Sequence, residues 1–270
     1  MPEHPTKAYG ILVRDDHATP IARAADQIRR LGYAIVDPGF DADRIGWLSA
    51  RFDAARSSYV ARWGAERLRG IDEHNGIRQP MAVDAEAFRA LALDPVILGL
   101  VGQLIEGQFI LNQQNGVINP AGQGYNQGSW HRDLPYQHFL SSTPLAINAL
   151  YCVDDFTTAN GSTWVLPATH KTAAFPSEDY LAQHALQVTA RAGQYIVLDC
   201  MLYHSGGFNG SAADRRAVNH VYTIPYFSQQ IRIPGNIPED GLSADDRRIL
   251  GFGVVQPQSV AEYLDSRGRT

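Results

Sequence analysis

The pattern of the chain changes at Gln108, and that change limits the folds open to it. Before it, apolar residues recur at helical spacing. After it they come in short runs closed by Gly, Asn, Asp or Pro. The runs are Phe109 to Ile118, Pro144 to Val153, Trp164 to Pro167, Tyr195 to Leu198, Leu202 to His204 and Ala217 to Pro225, with Phe252 to Val255 as a further candidate. Short strands separated by polar turns do not build βαβ units; they point to a sandwich or jelly roll. The expected class is mostly β with flanking helices, a jelly roll with the N-terminal helices packed on one sheet.

Those helices carry their own punctuation. Thr19-Pro20 reads as a cap and first position, Ile21, Ala24, Ile28 and Leu31 as an apolar stripe, and Gly32 as the stop. Tyr33 to Val36 is a short strand. Asp41 to Ala55 is amphipathic through Ile45, Leu48 and Phe52. Asp84 to Glu106 forms two helical pieces broken at Asp94-Pro95, with Ile97, Val101, Leu104 and Ile105 as the stripe of the second. Ser57 to Pro80 is less regular and leaves room for a loop over a site. With no repeat, low-complexity segment or linker, residues 1–270 are expected to form a single domain. Residues 1–106 would be mainly helical support, 107–225 the β core and 226–270 a C-terminal extension.

Hydrophobic residues make up 44% of the chain and charged residues 19%, the balance of a soluble globular protein with ample core. A formal net charge of −5 argues against nucleic acid or an anionic membrane as partner and leaves a small molecule. Cys152 and Cys200 sit in apolar runs and read as buried free thiols of a reducing compartment. No apolar run reaches the roughly 18 residues of a membrane span, and Met1 to Gly10 has no hydrophobic stretch, so the expected location is cytoplasmic. The oligomeric state is open.

The chemistry centres on Gly128 to Phe139, GSWHRDLPYQHF. In extended backbone, residues i and i+2 share a face, so His131 and Asp133 point one way and Arg132 the other. An imidazole beside a carboxylate gives two arms of a 2-His-1-carboxylate metal triad, which leaves positions open on a non-haem iron. His204, at a strand end before Ser205-Gly206-Gly207, is the best candidate for the third arm. With nine His in the chain, a surface His beside a carboxylate is the plainer explanation of His-x-Asp alone. Arg215 opens the strand that follows. Arg215, Ala217, Asn219 and Val221 share one face, and Arg216, Val218 and His220 the other. If the first face is inward, Arg215 is a buried cation that needs an anion such as a small carboxylate. Otherwise Asp214-Arg215-Arg216 is a charged surface turn. The amides Gln113, Gln114 and Asn115 fit either a ligand-facing surface or an edge strand.

The order His131-Arg132-Asp133, Asn160-Gly161-Ser162, Val165-Leu166-Pro167-Ala168-Thr169-His170-Lys171, His204, Asn209-Gly210-Ser211 and Arg215-Arg216 resembles the phytanoyl-CoA dioxygenase family from about Gly32 to Thr223. The resemblance implies a double-stranded β-helix, a jelly-roll variant, and an oxygenase that uses Fe(II), O2 and 2-oxoglutarate. It makes His131, Asp133 and His204 the iron ligands and Arg215 the partner of the distal carboxylate of 2-oxoglutarate. Gln114 falls where relatives place a polar contact to the cosubstrate, Asn148 falls on an inward strand position, and His170 reads as structural. Asp133 stands where related halogenases carry a small residue, which disfavours halogenation. Trp130 is expected to pack in the core, while Arg132, Tyr136 and His138 flank the metal stretch as possible substrate contacts. The implied outcome is hydroxylation of a small polar metabolite or natural-product intermediate. The rivals are a cupin-type metal enzyme independent of 2-oxoglutarate and a non-catalytic jelly-roll binding protein.

Overall fold

Helix α1 (Pro20–Leu31) begins where Thr19 Oγ1 accepts the N–H of Ala22 at 3.1 Å and ends at Gly32, whose φ of 87° lets its N–H reach Ile28 O at 2.8 Å. A Cβ on Gly32 would stand 2.6 Å from Leu202 Cδ1, so glycine is needed there for closeness as well as for conformation. The computed structural model describes residues 9–11, 17–134 and 139–267. After α1 the chain runs through β1 (Tyr33–Val36), α2 (Ala42–Trp63), α3 (Ala65–Gly70), β2 (Gly76–Arg78), α4 (Ala85–Ala92), α5 (Pro95–Leu104) and β3 (Ile110–Asn119). It continues with β4 (Ala146–Cys152), β5 (Thr163–Val165), α6 (Glu178–His184), β6 (Leu186–Gln187), β7 (Tyr195–Asp199), β8 (His204–Gly206) and β9 (Arg215–Thr223), and closes with α7 (Ala244–Ile249) and α8 (Val260–Arg267).

Two antiparallel sheets result. The larger has the order β1-β7-β4-β9-β3-β2 and the smaller β6-β5-β8. The smaller is widened by one residue pair, His131 opposite His204. One face of the larger sheet packs under the helices, where Ile28, Phe52, Phe88, Leu100, Ile147, Tyr151, Tyr195 and Tyr222 form one apolar cluster. The opposite face looks across to the smaller sheet, with Cys152, Phe156, Val165, Leu198, Leu202 and Ala217 between them. Cys152 and Cys200 are buried free thiols.

Several expectations need correction. Helical residues outnumber strand residues, so the fold is helices on an antiparallel β core and not mostly β. Helix α2 continues past Ala55 to Trp63 because Tyr59 keeps its apolar stripe buried, and α3 follows at once; only residues 71–75 of the stretch from Ser57 to Pro80 remain as loop before β2. Phe252–Val254 is a turn of 3-10 helix and not a strand. The C-terminal extension contributes to the packing, since Ile233, Ile237, Ile249 and Leu250 join the helix-side core. The stretch Ala85–Leu104 matches a membrane span in length and composition, yet Asp94 interrupts it, and Ile97, Leu100, Val101 and Leu104 are buried in the core.

Behind the larger sheet lies a buried polar pair. His220 Nδ1 donates to Ala149 O at 3.0 Å, so its Nε2 is the acceptor facing Gln114 Nε2 at 3.0 Å. Burial pushes the His220 imidazole down to about 4. The unfolded state, at about 6.5, therefore binds a proton that the folded state refuses, and stability contributed above that value is lost as pH falls toward about 4. Between pH 7 and 5 this one group is expected to remove roughly 2 kcal/mol. Urea unfolding of the parent and of His220→Gln at the two pH values checks it: the variant's pH slope is expected to be shallower by about that amount, and parallel slopes would refute the assignment.

Candidate active site

The site lies at the edge where the two sheets meet. His131 N–H donates to His204 O at 2.9 Å and His204 N–H to His131 O at 3.1 Å, so the two residues are locked face to face although they lie on distant segments. Their ring centroids are 4.4 Å apart. Two residues on, Asp133 N–H donates to Cys200 O at 3.0 Å, which turns its carboxylate back toward both rings. Asp133 Oδ1 lies 3.9 Å from His131 Nε2 and 3.5 Å from His204 Nε2. One donor atom from each of the three residues falls within a span of 4.8 Å.

The hydrogen bonds fix which atoms are donors to a metal. His131 Nδ1 meets Ser129 O at 2.7 Å and His204 Nδ1 meets Leu202 O at 3.0 Å. A carbonyl only accepts, so both Nδ1 atoms carry hydrogen and both neutral Nε2 atoms turn lone pairs toward Asp133. Asn148 Nδ2 donates to Asp133 Oδ2 at 2.8 Å and leaves Oδ1 for the cluster. Two lone pairs and a carboxylate converging on one point repel unless a positive charge joins them. Either a proton on His204 or a divalent metal ion supplies it, and a three-donor N, N, O set suits iron with positions left open.

Ionisation follows the same geometry. Burial alone would raise Asp133, but the His204 imidazole and the Asn148 amide outweigh it and hold the carboxyl at about 2. Burial would lower His204, yet the Asp133 carboxylate wins and keeps it above the ordinary imidazole value. Burial and the neighbouring His204 push His131 down.

Arg215 opens β9 and is 5% exposed, which for a cation demands a partner. Its guanidinium lies over the Phe156 ring, 3.8 Å from the centroid, and Nη2 reaches Tyr125 Oη at 3.5 Å. Nε and Nη1 are buried with no acceptor, and among the described residues no carboxylate pairs with it. Burial pushes its pKa down. Its neighbour Arg216 points to the other face and bonds Asp154 (2.6 Å) and Asp53 (2.7 Å). The alternation read from the strand therefore separates one saturated arginine from one that lacks an anion.

A narrow cavity of about 50 Å³ runs from the three converging donors to Arg215, lined also by Asn148, Leu150, Thr163, Leu198 and Ala217. A larger one of about 630 Å³ opens beside it. His131, Asp133, Tyr125, Gln127, Val117 and Asn219 line both, so a molecule in one is next to a molecule in the other.

Of the residues singled out in the sequence, His131, Asp133, His204, Arg215 and Asn148 come together here. Gln114 does not. It faces the helices: Nε2 donates to Phe88 O at 2.8 Å and Oε1 accepts from Met81 N–H at 3.2 Å, so its amide ties α4 to the sheet. The amides on the cavity face are its neighbours Gln113 and Asn115. Arg132 points away from the donors, over the Tyr203 ring at 4.0 Å, and donates to Thr169 O. Trp130 is half-buried against Phe175, with centroids 6.4 Å apart, and is not in the core. His170 holds α1 through Arg29 O at 3.1 Å. Tyr136 and His138 lie outside the described residues. Tyr125 was not legible in the sequence, since it sits in a glycine-rich coil without periodicity.

The model of the family described as phytanoyl-CoA dioxygenase (PhyH) matches residues 28–217. The chain belongs to the phytanoyl-CoA dioxygenase family. It is a non-haem iron oxygenase dependent on 2-oxoglutarate. An uncharacterized protein of Mycobacterium tuberculosis is 31% identical over 261 residues, covering 94% of this chain and 90% of the relative. Among solved structures, EctD from S. alaskensis with 2-oxoglutarate and 5-hydroxyectoine superposes with a TM-score of 0.65 at 21% identity, over 79% of each chain. SnoN, a non-haem α-ketoglutarate-dependent epimerase from nogalamycin biosynthesis, gives 0.59 at 21% identity, over 83% of this chain and 89% of its own. At such identities the structural likeness speaks for the fold, a double-stranded β-helix core.

Proposed function

We propose that His131, Asp133 and His204 hold Fe(II), that Arg215 grips the far carboxylate of 2-oxoglutarate in the narrow cavity, and that the larger cavity takes a small polar metabolite or natural-product intermediate for hydroxylation. The observation that carries this is Arg215, a buried guanidinium without an acid beside a three-donor cluster. A dicarboxylic acid supplies what each end lacks: an anion for Arg215 and oxygen donors for the open positions on the metal.

When bound, iron with 2-oxoglutarate and O2 supplies oxidising power sufficient to break an unactivated C–H bond, with succinate and CO2 leaving. The chain's own residues do the rest. The carbonyls of Ser129 and Leu202 hold the two imidazoles in the tautomer that ligates. Asn148 fixes the rotation of the Asp133 carboxylate. Phe156 and Tyr125 cover Arg215, and excluding water there strengthens its grip on an anion. The presence of Asp133, in place of a small residue, favours oxygenation over halogenation.

The test is spectroscopic. Under anaerobic conditions the protein with Fe(II) and 2-oxoglutarate together is expected to develop a weak visible charge-transfer band that neither gives alone. A well-folded, iron-loaded sample whose spectrum is unchanged by 2-oxoglutarate would sink the proposal. Protons compete for the two Nε2 atoms, so iron affinity is expected to fall on acidification.

A further inference from the structure

The larger cavity says something about charge. Beyond the iron-binding cluster and the averted Arg132, its charged lining residues are Asp72, Glu73 and Arg78. Glu73 and Arg78 neutralise one another through two hydrogen bonds of 2.8 and 2.7 Å. The Asp72 carboxylate stands at the rim, 72% exposed. The described wall thus presents no cation to an incoming anion. A carboxylate or phosphate entering here would leave water without a partner, which is costly.

What the wall does present is amides. Asn115 lies directly opposite Asn219 across β3 and β9, and Gln113 opposite Val221, so all three amides share the cavity face. Asn115 Nδ2 donates to Gln230 Oε1 at 3.0 Å. Among the described residues the Gln113 and Asn219 amides have no hydrogen-bond partner, and Asn219 Oδ1 is buried in that state. Their neighbour Gln114 shows the contrast, with its whole amide bonded into the core. An amide offers a donor and an acceptor side by side, the complement of a hydroxyl group. Asn219 also lines the narrow cavity beside Arg215, so a group bonded to it lies next to the three metal-binding donors.

We propose, building on the oxygenase reading above, that the substrate is an uncharged, hydroxyl-rich molecule of sugar-like character, and that Gln113 and Asn219 are the residues that recognise and orient it. The cavity volume suits one such ring with a substituent. On this proposal free carboxylates and coenzyme A thioesters are poor substrates, because the described wall offers them no unpaired cation.

The experiment uses the full chain loaded with Zn(II) and 2-oxoglutarate, which binds without turning over. Saturation-transfer NMR is run with methyl glucoside, methyl galactoside and inositol, with the matching glucuronide and galacturonide, and with acetyl-CoA. The neutral probes are expected to bind, the uronides at least about tenfold more weakly, and acetyl-CoA not at all. Gln113→Leu and Asn219→Leu are each expected to weaken the neutral probes by at least about fivefold. The Gln113 variant, whose side chain lines only the larger cavity, keeps its 2-oxoglutarate signals. Silence of every neutral probe, equal binding of the uronides, binding of acetyl-CoA, or variants that bind like the parent each overturns the proposal. The 2-oxoglutarate signals of the same samples separate the two readings. If they are present while the sugars are silent, this inference fails alone; if they are absent, the oxygenase reading fails.

Discussion

Arg215→Met is expected to raise the 2-oxoglutarate concentration needed for turnover by about a hundredfold, close to 2.8 kcal/mol of binding. Desolvation sets the size of the effect. Burial has already stripped Arg215 of water, and Tyr125 at 3.5 Å replaces little of it. An anion that arrives there regains interaction in a medium where charges are weakly screened. Without the dicarboxylic acid, an uncompensated buried cation is a burden to the fold, so Arg215→Met is expected to melt no lower than the parent. Titration of succinate formation against 2-oxoglutarate, with thermal unfolding in its absence, reads both. An unaltered 2-oxoglutarate dependence would assign the anchor elsewhere and favour a cupin-type enzyme that needs no such cosubstrate.

Asp133→Ala is expected to lower turnover by about a thousandfold or more and to abolish stoichiometric iron binding. Two imidazoles would remain, but the carboxylate proposed to balance the metal's charge would be gone, and Asn148 would lose the oxygen it orients. The fold is expected to survive, because Asp133 enters its neighbours' structure through its backbone N–H to Cys200 O at 3.0 Å, which alanine keeps. Iron content, succinate release and circular dichroism on one preparation decide the matter. An insoluble or unfolded variant would mark the carboxylate as structural, and an active one would remove it from the metal.

The residues differ in how plainly the sequence announced them. His131 and Asp133 were legible because extended backbone puts i and i+2 on one face, and Arg215 and Arg216 because the same rule puts neighbours on opposite faces. The resemblance places Gln114 at the cosubstrate, whereas its amide is bonded to Phe88 O and Met81 N–H on the helix side; alternation says that Gln113 and Gln114 face apart, not which of them faces inward. The bulge between Leu111 and Gln113 further rephases the strand. The break at Asp94-Pro95 was visible because proline and the Asp94 cap act locally, through bonds to Val96 and Ile97 N–H. The reach of α2 to Trp63 was not, since it depends on Tyr59 meeting a core made by distant segments. Tyr125 and the cavity amides belong to the same class: their meaning comes from what lies across from them.

Two consecutive arginines at the head of β9 pose an ambiguity of spelling, because a slip of one residue would exchange them. Arg216 would then be driven inward and Arg215 outward, and every side chain down to Thr223 would change sides. The bonds that Arg216 makes to Asp154, through its backbone N–H at 2.7 Å as well as its guanidinium, act as a registration pin against that slip. Asp53 adds a second tooth from α2. The acidic pair outside the barrel thus adds to the ladders with β3 and β4 in fixing which arginine of the strand is delivered to the inside.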